Sequence, residues 1–436
     1  MQLAVLIAFL VVTVTSVAVA TWWSRRTERR HGERLERAIA AGLDEPPSLH
    51  PVIDPMRCIG TGACVAACPE GGILGIVDGR AALLEPTRCI GHGACYAACP
   101  VEAIQLVFGT ARRGVEIPHL SSDFQTNVPG VYVAGELGGM GLVRNAMTQG
   151  IAAVRSIAAS LPPRRAADSL FDVAIVGAGP AGLAASLAAE EAGLRYVTVE
   201  QEAIGGTVYH YPREKMVNTR PVEIPGYGTV PAREIRKEEL LALWQDVIAR
   251  TGIKIRLREQ VTEITARGPA FEILTTRGRY GSLRLILAIG RRGSPRKLGV
   301  PGEESPNVAY SLGDRGGIRG RSVLVVGGGN GAVEAAISLA ASELDNRVTL
   351  SYRREIFARA TEANRARLEE LERTGRLSVL RRSEVTAIEP EHVALRIDDR
   401  PLAVAADKVL VLIGGELPTQ FLRQLGVAID VKFGAR

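Results

Sequence analysis

The chain has 436 residues, long enough for about three domains, and its 46% apolar and 23% charged residues are typical of a globular protein. The formal net charge is +6, but basic residues crowd one segment, Arg25 to Arg37, so the charge does not indicate a nucleic-acid-binding protein. All six cysteines lie between positions 58 and 99, so any cysteine chemistry belongs to one module.

The first element is an uncharged, mostly apolar run from Leu3 to Trp23. As a helix it would be about 32 Å long, enough to cross a bilayer core, and its two closing tryptophans would lie at the interface. The arginines that follow place the rest of the chain in the cytoplasm. A cleaved signal peptide is the alternative, but no positive charge precedes the run. We therefore expect an inner-membrane protein with one transmembrane anchor at 1–24 and a linker over 25–50.

A repeated cysteine motif occupies 51–109. Cys58-Ile-Gly-Thr-Gly-Ala-Cys64-Val-Ala-Ala-Cys68-Pro returns 31 residues later as Cys89-Ile-Gly-His-Gly-Ala-Cys95-Tyr-Ala-Ala-Cys99-Pro. The pattern resembles the C-x2-C-x2-C-x3-C-P motif of bacterial two-cluster ferredoxins, with its second cysteine replaced by Thr61 and by His92. Disulfides and zinc are the alternatives, but disulfides are rare in a cytoplasmic module and the spacing is not that of the usual zinc pairs.

The resemblance implies two iron–sulfur clusters, because in that family the last cysteine of each motif serves the other cluster. Each cluster would lack one thiolate. Thr61 is a poor ligand, so its site could hold a 3Fe–4S cluster or a 4Fe–4S cluster with an open corner. His92 could supply a nitrogen ligand or could be a packing residue. The implied sets are Cys58, Cys64 and Cys99 for one cluster, and Cys68, Cys89, Cys95 and His92 for the other.

A different motif lies within 110–160. It reads Thr126-Asn-Val-Pro-Gly-Val-Tyr-Val-Ala-Gly-Glu136, followed by a glycine-rich turn and a helical pattern from Asn145. It resembles the closing FAD motif of thioredoxin-reductase-like flavoproteins, T-x-V-P-G-V-[FY]-A-A-G-D. The resemblance implies that the acid, here Glu instead of Asp, holds the ribityl chain and that the helix N-terminus faces the flavin. The residues so assigned are Gly135, Glu136, Asn145 and Ala146.

Residues 171–200 fit a dinucleotide-binding βαβ unit. An apolar strand leads into G-x-G-x-x-G, an Ala/Leu-rich helix follows, and a second strand ends at Glu200. The glycines allow the tight turn, the approach of backbone to a pyrophosphate and close helix–strand packing. The helix N-terminus offers N–H groups to the phosphates, and the acid can accept hydrogen bonds from a ribose. The predicted FAD-binding residues are Gly177, Gly179, Pro180, Ala181, Gly182 and Glu200.

A Gly-Gly-Thr sequence follows this unit. It resembles the flavin-contacting loop of the same family, closest to the branch that includes bacillithiol-disulfide-reductase-like enzymes, and an ordinary surface turn is the alternative. The two glycines would let backbone lie against the flavin ring. The residues concerned are Gly205, Gly206 and Thr207.

A second dinucleotide-binding unit begins at Ser322, where a strand leads into Gly327-Gly-Gly-Asn-Gly-Ala332 and a helix. The next strand ends not in the acid of an NAD site but in Ser351-Tyr-Arg-Arg354. Paired guanidinium groups suit a 2′-phosphate, so we expect NADPH rather than NADH. The predicted residues are Gly327, Gly329, Asn330, Ala332, Arg353, Arg354 and Arg359.

These units predict an α/β fold with two Rossmann-like dinucleotide-binding domains, a small α+β ferredoxin-like module and one transmembrane helix. In the resembled family the closing FAD motif follows the last crossover, which the stretch from Asp407 to Pro418 resembles, whereas here it precedes the first unit. We therefore expect a circularly permuted flavoprotein, with Arg436 close to Gly114. The expected FAD domain is 171–308 with 110–160 and 409–436, and the NADPH domain is 309–408.

The expected chemistry is electron transfer. NADPH delivers two electrons as hydride, iron–sulfur clusters carry one at a time, and a flavin can do both. The flavoprotein part has no cysteine, so the clusters replace an internal dithiol as the electron port. We expect an oxidoreductase that needs no catalytic acid or base and passes electrons between NAD(P)H and a quinone, a cytochrome or a ferredoxin. NADP⁺ reduction by a ferredoxin or membrane donor, and a relay subunit of a respiratory complex, are the alternatives; a homodimer or a membrane complex stays open.

Overall fold

The computed structural model describes most of the chain, which divides into two compact units. The first comprises residues 1–115 with 432–436, and the second comprises 116–431. The finer domain boundaries expected from the sequence remain predictions. The described residues are 2–40, 42–46, 49–139, 141–161, 170–211, 216–219, 221–231, 233–291, 294–312, 317–357, 359–416 and 418–434.

The described part of the chain contains both helices and strands, and the strands often follow one another without an intervening helix. The helices are α1 Gln2–Ala40, α2 Ala63–Ala67, α3 Ala94–Ala97, α4 Val143–Ser160, α5 Pro180–Glu191, α6 Lys237–Thr251, α7 Asn330–Leu339, α8 Glu362–Arg373 and α9 Thr419–Gln424. The strands are β1 His50–Ile53, β2 Leu74–Val77, β3 Arg80–Leu83, β4 Ile104–Val107, β5 Val115–Pro118, β6 Val131–Val133, β7 Phe171–Val176, β8 Tyr196–Glu200, β9 Met216–Thr219, β10 Val222–Ile224, β11 Gly228–Val230, β12 Arg233–Arg236, β13 Ile255–Leu257, β14 Val261–Arg267, β15 Ala270–Thr275, β16 Arg279–Leu287, β17 Ser294–Pro295, β18 Val308–Ala309, β19 Ser322–Val326, β20 Arg347–Tyr352, β21 Leu377–Arg381, β22 Ser383–Ile388, β23 His392–Ile397, β24 Arg400–Ala405, β25 Lys408–Val411, β26 Gly415–Glu416 and β27 Ile429–Lys432.

In the first unit, the cysteine repeat of the sequence becomes a structural repeat. Strands β1 and β4 pair antiparallel, as do β2 and β3, and each cysteine loop leads through a left-handed glycine into a short helix. Gly62 has φ 74° and Gly93 has φ 77°, which non-glycine residues rarely adopt. The side chains of Cys64 and Cys95 share a small core with the strand residues Leu74 and Ile104.

The predicted transmembrane anchor was wrong. In the part of the chain that the structure describes, no helix is both long enough and apolar enough to cross a membrane, and this also overturns the expected single-pass inner-membrane location. In the structure α1 extends from Gln2 to Ala40 and continues without a break from the apolar run into the arginines that follow.

Residues 25–40 of the expected linker form the second half of α1, and this part of the helix packs on the cysteine module. The Ile76 amide donates to His31 Nδ1 at 3.1 Å, and Arg34 donates to the carbonyl of Gly72 at 3.0 Å. Arg34 and Arg88 also form ion pairs with Glu85. Burial alone would raise the pKa of Glu85, but the two arginines outweigh it and hold that pKa below its usual value.

The second unit contains a seven-stranded sheet of order β13-β8-β7-β16-β15-β14, in which β6 also pairs with β16. Strands β13, β8, β7, β16 and β6 run parallel, and β15 and β14 run antiparallel. The central strand β7 is almost wholly buried, as expected for a strand covered on both faces. The strand of the 110–160 segment therefore lies in the same sheet as the first strand of the 171–200 unit.

Helix α4 and strand β6 share a core with the β7–α5 unit. The residues of this core are Tyr132, Ala134, Ala146, Ala153, Val154, Ile157, Val173, Ile175, Ala181, Ala185, Ala188, Ala189, Ile286 and Ala288. Beyond β26, the buried residues Leu422 and Val427 pack in one cluster with Val131 and Val133 of β6. The predicted position of Arg436 lies outside the described residues; Gly434 lies against Gly109, where an added Cβ would be 2.2 Å from the Gly109 carbonyl oxygen.

The second unit also holds a smaller parallel sheet, of order β18-β25-β19-β20-β21, flanked by the antiparallel sheet β22-β23-β24. Helices α7 and α8 cover the parallel sheet, and residues such as Leu339 and Leu368 join the core formed by Val325 and Leu350. The predicted mixed α/β fold with two dinucleotide-binding sheets is thus present, and the transmembrane helix is the part that fails.

Candidate functional site

The turn between β7 and α5 can only be built from glycines. Gly177 has φ 105°, and an added Cβ would lie 2.5 Å from the carbonyl oxygen of Ala288. A Cβ at Gly182 would lie 1.8 Å from the carbonyl oxygen of Gly177. At Gly179 the nearest atom to an added Cβ is 3.8 Å away, so this face of the turn is open for a pyrophosphate. Pro180 starts α5 and Ala181 is buried beneath the turn, as a dinucleotide site requires.

Glu200 ties this turn to the end of β8. It is buried, its Oε2 accepts from the Ala178 amide at 2.7 Å, and its Oε1 accepts from the Glu202 amide at 2.9 Å. Burial raises the pKa of Glu200, and the two amides oppose that shift. A carboxylate has further lone pairs, so the predicted bond to a ribose remains a prediction compatible with this geometry.

The Gly-Gly-Thr loop faces the same turn. The Gly205 amide donates to the Ala178 carbonyl at 2.9 Å, and an added Cβ on Gly206 would lie 3.1 Å from the Gly179 Cα. Gly205 has φ 104° and packs on α6, where an added Cβ would be 3.1 Å from Trp244. The loop continues through Thr207 in a 3-10 turn. Two glycine turns from separate parts of the sequence thus line one opening.

The segment that resembles the closing FAD motif, Thr126 to Glu136, also packs against the start of α5. Gly135, with φ 89°, follows β6, and its added Cβ would be 3.1 Å from the Cβ of Ala181 and 3.7 Å from that of Ala146. Glu136 is exposed at the start of the next 3-10 turn. Helix α4 begins at Val143, just before the predicted Asn145, which is half-buried in its first turn.

Two residues that hold this arrangement were missed by the sequence analysis. Buried Gln149 accepts through Oε1 from the Gly135 amide at 2.8 Å. An added Cβ on Gly150 would lie 2.2 Å from the carbonyl oxygen of Ala181, so α4 and α5 touch through their backbones. A glycine inside a helical pattern is the signal that could have revealed this close approach.

The second glycine turn opens on a large cavity of about 1710 Å³. Gly327 has φ 148° and lies against the Leu412 carbonyl, whereas an added Cβ at Gly329 would meet nothing within 4 Å. Residues of both dinucleotide-binding domains line the cavity, including Tyr209 and His210 beside the first site. This shape fits a nucleotide whose reactive end reaches towards a flavin.

Not every residue predicted for the second site points to the cavity. The side chain of Asn330 is engaged within the protein: its Nδ2 donates to Glu334, and its Oδ1 accepts from the Thr361 amide at 2.9 Å and from Asn364 Nδ2 at 2.8 Å. Ala332 is buried in the core and also lines the cavity. Gly328 was missed, although an added Cβ there would be 2.0 Å from the ring of Tyr352.

Two of the three predicted arginines lie at the cavity and the third does not. Arg353 and Arg359 line the cavity, and the backbone of Arg359 bridges to that of Gly329. Arg354 is exposed and is not among the described residues that line the cavity; its carbonyl accepts from the Arg382 amide at 3.4 Å. Arg367 and Arg376 also line the cavity and were missed, because they come from α8 and the chain beyond it.

The six cysteines form two separate groups of three, and all are free thiols. One small cavity is lined by Cys58, Cys64, Cys99 and Thr61, and another by Cys68, Cys89, Cys95 and His92. These are the two sets that the ferredoxin resemblance implies, and whether they are ligands remains a prediction.

The surroundings of three of the thiols favour the neutral form. Burial raises the pKa of Cys64 and Cys89 and raises that of Cys95 to about 11, so bound metal would be needed to keep them ionised. Backbone amides point at two sulfurs, Ala81 N at Cys58 Sγ (3.3 Å) and Ala103 N at Cys99 Sγ (3.2 Å). No group of three such side chains among the described residues converges on a single metal ion. A cluster is larger than an ion, so this finding concerns single ions, and clusters held by the two sets of thiols remain a prediction.

Comparison with known families decides the affiliation of the chain. A model described as "Pyridine nucleotide-disulphide oxidoreductase" matches residues 174–433, more than half of the chain. The chain belongs to this family. A "4Fe-4S dicluster domain" model matches residues 50–100, the segment with the two groups of thiols. The protein is therefore a pyridine nucleotide-dependent oxidoreductase joined to an iron–sulfur type of domain.

Individual proteins that are similar to this chain include two reductases and one solved structure. The chain is 33% identical over 266 residues to a "Ferredoxin--NADP reductase" of Ignicoccus hospitalis, covering 59% of this chain and 81% of that protein. It is 32% identical over 274 residues to a "Ferredoxin--NADP reductase" of Thermus thermophilus, covering 59% and 77%. The solved bacillithiol disulfide reductase Bdr (YpdA) of Bacillus cereus is similar with 26% identity and a TM-score of 0.51, covering 60% of this chain and 83% of that one.

Proposed function

We propose that this member of the family is a ferredoxin–NADP reductase-like flavoenzyme that moves electrons between NADPH and an iron–sulfur carrier. The observation that carries the proposal is the position of the cysteines: six free thiols form two groups of three, while the nucleotide-binding part of the chain has none. The nucleotide-binding part therefore cannot reduce a disulfide through a dithiol of its own. The two relatives named above are ferredoxin–NADP reductases, which supports a ferredoxin-type partner.

In this proposal the opening between the two glycine turns holds FAD. The open face of Gly179 and the N-terminus of α5 bind the pyrophosphate, Gly205 and Gly206 lie against the flavin, and Glu136 is near the ribityl chain. The chemistry that FAD supplies when bound is exchange of hydride with a nicotinamide and of single electrons with a cluster. The lining residues exclude bulk water and orient the nucleotide, and no side chain is needed as a general acid or base.

NADPH is proposed to occupy the 1710 Å³ cavity. Gly329 leaves room for the phosphates at the start of α7, and Arg353 and Arg359 offer guanidinium groups to the 2′-phosphate. The two groups of three thiols are proposed to hold two iron–sulfur clusters, which serve as the one-electron port of the enzyme.

We also propose that the flavoprotein is circularly permuted, so that residues 116–160 complete an FAD domain that they precede in the chain. Strand β6 pairs in parallel with β16, α4 touches α5 through Gly150, and Glu116 forms an ion pair with Arg423 at 2.9 Å. These contacts support the idea that 116–160 and the residues near 423 are neighbours in the domain although they are far apart in sequence.

Anaerobic titration of the reconstituted full chain with NADPH tests the function. We expect the oxidised flavin band to bleach, and the reduced enzyme then to pass electrons to an added bacterial ferredoxin, with NADP⁺ reduction when reduced ferredoxin is supplied. NADH serves as the matched control nucleotide and should act more weakly. A flavin that stays oxidised with excess NADPH, while dithionite still reduces it, would contradict the proposal.

A further inference from the structure

The two residues that replace ferredoxin cysteines make the same local contact. Thr61 Oγ1 accepts from the Ala63 amide at 3.4 Å, and His92 Nδ1 accepts from the Ala94 amide at 3.1 Å. In each loop the intervening glycine is left-handed, and the amide belongs to the first residue of α2 or α3. Both side chains therefore turn back to close their own loop, at the position where a ferredoxin would extend a thiolate to its cluster.

The contact of His92 determines which ring nitrogen carries the proton. A nitrogen that accepts from a backbone N–H must present its lone pair, so in the neutral ring Nε2 is the N–H nitrogen. A histidine that ligates metal through Nε2 needs the opposite tautomer, in which Nδ1–H donates to a neighbour. Ligation through Nδ1 would break the bond from the Ala94 amide. Neither ring nitrogen is thus prepared to bind iron.

The other ring nitrogen of His92 points at a cysteine. His92 Nε2 lies 3.9 Å from Cys68 Sγ, and Cys68 is one of the three thiols of that group. In the tautomer set by the Ala94 amide, this is an N–H directed at sulfur. A hydrogen bond to a coordinating sulfur stabilises the more negative, reduced cluster and raises its reduction potential.

We propose, resting on the function proposed above, that each cluster is held by three thiolates only and that His92 is a hydrogen-bond donor to Cys68, not a ligand. Thr61 and His92 then share one structural task, closing the loop, and His92 alone adds a donor to its cluster. His92 is a positioning residue for Cys68. The cluster held by Cys68, Cys89 and Cys95 is therefore the one whose reduction potential is raised.

The test uses the full chain reconstituted anaerobically with iron and sulfide. His92→Ala should keep the iron and sulfide content of the wild type, and it should move the midpoint potential of one cluster to a more negative value while the other stays unchanged. Thr61→Ala is the matched control, since it removes a loop-closing side chain without removing a donor to sulfur. His92→Cys and Thr61→Cys should each add a thiolate to one cluster and change its electron paramagnetic resonance spectrum.

Pulsed electron paramagnetic resonance of protein labelled with ¹⁵N-histidine measures the coupling between cluster and nitrogen, and this readout is independent of activity. We expect no coupling of the size produced by directly bound nitrogen. Such a coupling, or selective loss of one cluster from His92→Ala, would overturn the inference, as would an unchanged potential in that variant. Clusters that behave as expected but never receive electrons from NADPH would overturn the proposed function alone. A chain that assembles no acid-labile sulfide would overturn both.

Discussion

The side chain of Asn127 hydrogen-bonds to Gly426, 299 residues later in the chain: its Nδ2 donates to the Gly426 carbonyl at 2.9 Å. Its Oδ1 accepts from the Ala428 amide at 2.7 Å, and the His119 amide donates to the Ala428 carbonyl at 2.9 Å. This asparagine therefore fastens the turn before β6 to the chain beyond α9. In an unpermuted flavoprotein these two stretches would follow one another, so the contact is where the proposed permutation can be tested.

Replacing Asn127 with Ala should weaken the contact between the turn before β6 and the chain beyond α9. Two neutral hydrogen bonds are lost at an exposed position, so we expect a destabilisation of about 1 kcal/mol and faster amide exchange along β6. Asn127→Asp is the matched variant, because it keeps the acceptor for the Ala428 amide and loses only the donor. Hydrogen-exchange mass spectrometry of β6 and 426–431 measures the effect; exchange that changes in neither stretch would contradict the role assigned to Asn127.

The contact between α4 and α5 predicts a larger effect on the flavin. In Gly150→Ala the new methyl group would meet the Ala181 carbonyl at 2.2 Å, so the helices must separate at a cost of about 1–3 kcal/mol. Ala181 lies at the start of α5, so FAD should be lost more readily on dialysis. Gly32→Ala in α1 is the control, because an added Cβ there has only an ordinary contact at 4.0 Å and alanine favours the helix. Equal flavin retention in both variants would show that α4 does not support the FAD site.

Single substitutions within the short segment 353–359 can show which arginines bind the 2′-phosphate. Arg353→Ala and Arg359→Ala should each weaken NADPH binding roughly tenfold or more, since a charge-assisted hydrogen bond contributes about 1.5–3 kcal/mol. NADH should be affected much less. Arg354→Ala is the matched control, because that neighbouring residue does not line the cavity among the described residues. The apparent dissociation constants for both nucleotides measure this, and an equal loss for NADH would remove Arg353 and Arg359 from the phosphate site.

Much of the candidate site could be predicted because its chemistry is local in sequence. The turns at Gly177 and Gly327 are set by neighbouring glycines, and the two groups of thiols are those that the resemblance of the cysteine repeat to two-cluster ferredoxins implies. The place of β6 in the sheet also followed from a short motif.

What failed depends on contacts that no short motif encodes. The packing of α1 on the cysteine module through His31 and Arg34 joins residues that are far apart in sequence, so no short motif predicted it. Arg353 and Arg354 are equivalent in sequence, and only the end of β20 decides which of them reaches the cavity. Gln149 was missed because nothing in an alanine-rich helix shows that one amide side chain will be buried against Gly135.

Glu303 lies in the segment between β17 and β18. This buried carboxylate accepts from the amides of Leu298 at 2.6 Å and Gly299 at 2.7 Å, and from the hydroxyl of Tyr310 at 3.0 Å. Burial alone would raise the pKa of Glu303, but these three donors outweigh it and lower that pKa below its usual value. The ionised form is therefore the one that stabilises the fold.

We expect Glu303→Gln to destabilise the protein by about 1–3 kcal/mol at neutral pH, because the amide nitrogen of glutamine would face a backbone N–H and leave a buried donor unpaired. The folded pKa is below the unfolded one, so the stabilisation by Glu303 is present above the unfolded pKa and is lost as pH falls through the folded pKa. The gap between wild type and variant should therefore shrink below about pH 4. Glu304→Gln is the control, since Glu304 is an exposed partner of Lys297 and should change stability by less than about 1 kcal/mol. Urea unfolding of the three proteins across this pH range measures the gap, and a gap of constant size down to acid pH would mean that the charge of Glu303 does not stabilise the segment between β17 and β18.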